Sequence, residues 1–283
     1  MKSLLTLFIL TASLFSAWPD TTINSTNCHA WGANIGWMDC SGDTTNGAVV
    51  NDYCCSGYIY AANIGWICLG SGSPTNCIRH QNQAASDFGV NNDSFGNLGG
   101  YAWGANIGWV AFETNGAPSI NLDTGEFSGY VWSANCGWIS LSNTSASVQT
   151  DHILSGPLST NGLPIPWLFT YFGTTNIDPN SDPAGSGMSV GADYEAGLTP
   201  TDSNSVFCIT AGSFVSGGTN TQLTWTSVMT RRYYIMKSTN LAWPWTDSGL
   251  GMISPDGART TRTFEDVSAP QCFYTVRVVR PLP

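Results

Sequence analysis

Two short runs, Tyr130-Val131-Trp132 and Trp138-Ile139-Ser140-Leu141, alternate with period two, which predicts β-strands. The same pattern returns in four segments: residues 29–40, 58–69, 101–112 and 130–141. Each reads aromatic-x-aromatic-x-Ala-Asn-x-Gly-Trp-apolar, with His29 replacing the leading aromatic once. The cores begin at Ala33, Ala62, Ala105 and Ala134, at spacings of 29, 43 and 29 residues. A fixed internal repeat of this kind marks units that bury a shared core by stacking.

Each unit predicts strand, tight turn, strand. The Asn-x-Gly step needs a residue tolerant of positive φ, which Gly36, Gly65, Gly108 and Gly137 supply. One such unit buries too little to stand alone, so the units are expected to share one interior. Its candidate fillers are Trp31, Trp37, Tyr60, Trp66, Trp103, Trp109, Trp132 and Trp138. Two readings of these rings stand side by side. Indoles repeated in every unit are expected to be packing residues; turned outward, they make a platform for stacking sugars. Asn34, Asn63, Asn106 and Asn135 carry the same pair of readings, with capping of the turn backbone favoured over ligand contact.

On these residues the segment from about 28 to 142 resembles the "GYAWSENIGWI"-type repeat of bacterial secreted proteins. In that family the position before Asn is commonly acidic; here it is Ala33, Ala62, Ala105 and Ala134. The resemblance implies an extracellular β-rich array and transfers no catalytic residue.

Beyond the repeats, residues 143–163 are rich in Ser, Thr and Gly and predict a linker. Residues 164–205, with Trp167, Tyr171, Phe172 and the run Asp178-Pro179-Asn180-Ser181-Asp182-Pro183, resemble the type-3 thrombospondin or dockerin-like calcium module, a loop followed by a short helix. By that resemblance Asp182 is the first calcium ligand and Asp193 the closing acid. Ala184 and Ser186 stand where further acids belong. From Val206 to the end, alternating runs recur about every ten residues between turn-rich stretches, which predicts an antiparallel sandwich. Leu223-x-Trp225, Phe264-x-Asp266 and Phe273-Tyr274-x-Val276 resemble the Ig- or fibronectin-III-like accessory domain that follows such modules. Trp243 and Trp245 read as packing residues, with glycan contact as the alternative.

Charge narrows the function. Nine Lys+Arg stand against 19 Asp+Glu, giving a net charge of −10. Between Trp18 and Thr230 the only basic residue is Arg79, so the basic stripe that nucleic acid requires is missing. Residues 1–17 pair Lys2 with an apolar run and small residues, which predicts a secretory signal peptide cleaved after Ala17. No later run is expected to span a membrane. In an exported chain Cys28, Cys40, Cys54, Cys55, Cys68, Cys77, Cys208 and Cys272 become disulfide candidates, with Cys208–Cys272 the simplest pairing. Cys136 replaces the Ile of the other turns and predicts a buried thiol acting as a small hydrophobe. A zinc site among the cysteines with His29 or His80 is the alternative reading of the cluster, without CxxC spacing to support it.

A search for catalysis is negative. His29, His80 and His152 lie in no nucleophile motif, and GxSxG, HExxH and phosphate-loop patterns are absent. The expectation is a non-enzymatic all-β protein: about four short antiparallel repeat units and a C-terminal β-sandwich, joined by a loop-rich linker with a short helix. Its expected role is structural or adhesive at the cell surface or in the matrix, with copies of itself or surface components as partners. Carbohydrate binding by exposed tryptophans is the alternative. No cofactor is expected, calcium apart.

Overall fold

The computed structural model describes residues 21–42, 45–215, 220–241, 244–265 and 272–283. The signal peptide expectation, Trp243 and Asp266 lie outside the described residues. The described chain divides into two compact units, one built on residues 21–177 with 282–283 and the other on residues 178–281. The architecture is all-β with antiparallel sheets.

In the first unit, β1 (Ile23–Gly32) and β2 (Gly36–Asp39) form a hairpin. After β3 (Val49–Val50) comes the second, β4 (Cys55–Ala61) with β5 (Gly65–Ser71). Past β6 (Val90–Asn92) lies the third, β7 (Leu98–Gly104) with β8 (Gly108–Phe112). The short pair β9 (Ser119–Ile120) and β10 (Phe127–Ser128) precedes the fourth, β11 (Tyr130–Ser133) with β12 (Gly137–Ser140). Finally β13 (Val148–Thr150) runs beside β1.

The repeats do not form an open array. β12 pairs with β1, so the four hairpins close into an eight-stranded barrel. Closure removes the two edges that a row of hairpins leaves unpaired. Adjacent hairpins are offset by two residues each, as Asp39↔Tyr60, Cys68↔Trp103, Ala111↔Trp132 and Ser140↔Trp31 record. Four such steps give a stagger of eight residues around eight strands. That geometry leaves an interior just wide enough for side chains to fill.

The filling is aliphatic, which corrects the expectation of an indole-filled interior. Ala30, Met38, Ile59, Ile67, Ala102, Val110, Val131 and Ile139 point inward, each at most 8% exposed. The indoles are the alternate residues of the same strands and so face out. At the turn end the inward positions must be small. A Cβ on Gly104 would lie 2.8 Å from the Cγ1 of Ile107 and 3.3 Å from that of Ile67. Gly32, Ala61 and Ser133 occupy the matching places, and Ile35, Ile64, Ile107 and Cys136 plug that end. Cys136 is buried as a small hydrophobe, as its sequence position predicts.

Residues 143–163 are not a free linker, because β13 is hydrogen-bonded into the barrel sheet. The same unit carries α1 (Ile165–Phe172), with a proline in its first turn and Gly173 in the left-handed conformation at its end.

The second unit begins with α2 (Val190–Ala196), capped by Ser189, whose hydroxyl accepts from the Ala192 N–H. Two three-stranded antiparallel sheets follow. One joins β14 (Ile209–Val215), β15 (Asn220–Thr226) and β18 (Arg259–Glu265); the other joins β16 (Arg232–Ser238), β17 (Thr246–Asp247) and β19 (Phe273–Val279). Leu223, Trp225 and Phe264 from the first sheet and Tyr233, Ile235 and Val276 from the second share one apolar cluster. Arg231, 8% exposed, donates through its guanidinium to the carbonyls of Tyr194 and Glu195 and so satisfies the end of α2. Trp245 is buried, in keeping with a packing role.

Candidate functional site

The feature with the clearest chemical character is the outer wall of the barrel. Strand alternation sends one side chain in and the next out. Trp31, Trp37, Tyr60, Trp66, Trp103, Trp109, Trp132 and Trp138 therefore stand on the outside, each 37–49% exposed. In every hairpin the two rings are direct cross-strand partners. Trp31–Trp37 and Trp103–Trp109 meet edge to face, with centroids 4.9 and 4.6 Å apart, and Tyr60–Trp66 is tilted at 4.8 Å. Such pairs clasp the hairpin from outside.

Sequence reasoning missed a second row. Tyr58, Tyr101 and Tyr130 set an edge against Trp66, Trp109 and Trp138 at 6.0–6.4 Å. In the first hairpin His29 occupies that place, edge-on to Trp37 at 6.0 Å. The signal was present as the leading aromatic of each repeat. The result is a cluster of rings on each of the four hairpins, extended at the third by Phe88, edge-on to Trp109 at 5.3 Å. Between hairpins the first-strand ring faces Ser140, Asp39, Cys68 or Ala111, so small or polar residues separate the clusters.

The repeated asparagines reach across to the neighbouring hairpin instead of capping their own turn. Asn34 Nδ2 donates to the Cys136 carbonyl, Asn63 to Ile35, Asn106 to Ile64 and Asn135 to Ile107, all at 3.0 Å. Each hairpin is thus tied to its predecessor and the first to the fourth, in a closed ring. The turns are held by their own backbone, as in the Ile107 N–H to Gly104 carbonyl bond of 3.1 Å, with Gly108 at φ 73.

The disulfide expectation is not met. Cys28, Cys40, Cys54, Cys55, Cys68, Cys77, Cys136 and Cys208 carry no disulfide, and the Cys208–Cys272 pairing is not formed. Burial holds several thiols protonated and unreactive: it pushes Cys40 and Cys55 far up, and Cys54 to about 11 against a partial opposing pull from Arg79.

The calcium-type loop falls within the second unit. Asp182 accepts from the backbone N–H groups of Ser186 (3.1 Å) and Gly187 (2.7 Å), which hold its carboxyl below the usual range. Asp193 is 1% exposed with Oδ1 unpartnered; burial first, and the Asp182 charge second, raise its pKa to about 6. The loop thus brings the two carboxylates near each other. With Ala184 and Ser186 in the remaining acidic places, its side chains fall short of the six to eight oxygens that calcium takes.

A different polar centre lies between the second and third hairpins. His80, 3% exposed, places Nδ1 3.0 Å from Asp87 Oδ1, and Asp87 also accepts from Thr75 and from the Gln81 N–H. Its ring packs on Gly89, where a Cβ would come within 2.3 Å, so it anchors the 71–89 loop. Among the described residues no helix is long and apolar enough to cross a membrane. No protein-family model, curated protein or solved structure matches the chain.

Proposed function

We propose that the protein is an exported, non-enzymatic adhesive component of the cell surface or matrix. In this reading the barrel is its recognition module and neutral carbohydrate is its ligand. One observation carries the reading: in each of the four hairpins the cross-strand pair of rings stands 37–49% exposed on the outside of a closed barrel. Soluble proteins seldom leave so much aromatic surface uncovered, and Trp and Tyr concentrate at binding sites. The electron-rich ring faces suit the C–H faces of pyranoses. Charge selects the ligand class. Among the described residues on the strands of this wall, Asp39 and His29 alone bring an acid or a basic ring, which suits a neutral ligand; with Arg79 the one Lys or Arg between residues 18 and 142, a polyanion is disfavoured.

The test is titration of the purified chain with a panel of neutral oligosaccharides, read by indole fluorescence and calorimetry. Saturable binding is expected, weakened more than about tenfold by the joint change Trp103→Ala and Trp109→Ala with the barrel's circular dichroism kept. No binding across the panel, or binding indifferent to these changes, overturns the carbohydrate reading. Electron microscopy of the same preparation reads the competing outcome. Ordered assemblies that dissolve on the double change assign the wall to contacts between copies.

A further inference from the structure

The first hairpin departs from the other three at two facing positions. Where they carry Tyr58/Cys68, Tyr101/Ala111 and Tyr130/Ser140, it carries His29 and Asp39, which are direct cross-strand partners. The departure coincides with a third group. Cys28, 5% exposed, lies immediately before His29, and its Sγ is 3.2 Å from His29 Nδ1. One donor atom from each of Cys28, His29 and Asp39 lies within 4.8 Å of the other two. From this convergence we propose that the three residues hold a late first-row divalent cation of the zinc class on the outer wall of the first hairpin.

The donor set fits that class. A thiolate, an imidazole and a carboxylate match the S, N and O ligands of zinc, and calcium and magnesium take oxygen alone. With bonds of about 2.0–2.3 Å to the ion, tetrahedral neighbours stand roughly 3–4 Å apart, so the present spacing needs only side-chain adjustment. Three protein ligands leave a fourth position for water or for an oxygen of a bound partner. The supporting shell is in place. The Asp39 carboxylate accepts from the Ser41 N–H at 2.8 Å and from its hydroxyl at 2.6 Å, and Trp37 packs edge-on against the imidazole. Without the ion, burial and the nearby Asp39 keep the Cys28 thiol protonated. On binding, the S–H bond breaks, the proton leaves to solvent, and the sulfur lone pair forms the bond to the metal.

The test uses the full chain, reduced, and titrated with cobalt(II) as a coloured stand-in for zinc. Expected are a thiolate-to-cobalt charge-transfer band in the near ultraviolet, visible bands of tetrahedral intensity, and displacement of both by zinc. Cys28→Ser removes the charge-transfer band. His29→Tyr and Asp39→Ser install the residues that the fourth hairpin carries at these places, so the barrel is retained. Each weakens binding by at least about 100-fold, beyond the range of outer-shell changes. Three results overturn the site: no charge-transfer band in protein whose Cys28 reacts as a thiol, binding unchanged in His29→Tyr, or Cys28 recovered from the native protein cross-linked to Cys40.

Discussion

Tryptophan does opposite jobs in the two units. In the barrel the repeated indoles stand outside, 37–49% exposed; in the C-terminal sheets Trp225 is fully buried against Tyr233 and Leu223. Both places are period-two strands, so local pattern does not separate them. Width does. The apolar cluster that the two C-terminal sheets share takes in an indole. Eight strands closed with a stagger of eight leave room for Ala, Val and Ile. A Trp in this family of strands therefore reports the space behind the sheet, not the hydrophobicity of the residue.

Substitutions can break this contrast. The largest effect is expected from Trp225→Ala, which empties a fully enclosed space and costs about 3–5 kcal/mol of the second unit's stability. The matching change on the barrel, Trp103→Ala, is expected to cost under about 1 kcal/mol, since it removes a half-exposed cross-strand contact. Urea unfolding of the full chain, followed separately for the two units, measures both; equal costs sink the distinction.

Next in size is a pH effect confined to the second unit. The folded pKa of Asp193, about 6, lies above its ordinary 3.8, so the folded state binds the proton more tightly. The stabilisation is complete below about pH 4 and is lost as pH rises through 6, on the order of 2 kcal/mol. Asp193→Asn is expected to raise stability at pH 7 and flatten the profile between pH 4 and 6. A profile that keeps its slope in the variant contradicts the assignment.

A smaller effect than that of pH is expected at the asparagine ring. Asn106→Ala removes one 3.0 Å bond and leaves the Ile64 carbonyl without that donor, at about 1–2 kcal/mol of barrel stability. The same change at Asn240, on the second unit, is expected to stay within about 0.5 kcal/mol, because it lies on an exposed turn. Thermal melts of the two variants order them.

Much of the barrel was legible beforehand. The repeat, its strands and the positive φ of Gly36, Gly65, Gly108 and Gly137 follow from spacing and turn chemistry. Which face is inside did not follow, because both faces are apolar: Ala102 and Val110 on one, Trp103 and Trp109 on the other. The missing clue was the small residue before each Ala-Asn. Gly32, Ala61, Gly104 and Ser133 mark the side on which the wall is crowded. Closure was invisible, since the pairing of Gly32 with Ile139 joins residues from opposite ends of the repeat region. The metal-type cluster was half visible: His29 stood out in the alignment of the repeats, but its meeting with Asp39 depends on cross-strand register.

The asparagine ring also sets an order of events. Three of its bonds span 28, 42 and 28 residues, and the fourth, Asn34 to Cys136, spans 102. Loop closure grows costlier with length, and contacts distant in sequence form late. Neighbouring hairpins can be tied as soon as both exist, whereas the last bond waits until the two ends of the repeat region meet. Asn63→Ala and Asn34→Ala, identical in the group they delete, are then felt at different moments: the first in how fast the chain gathers, the second in how fast the finished cylinder reopens.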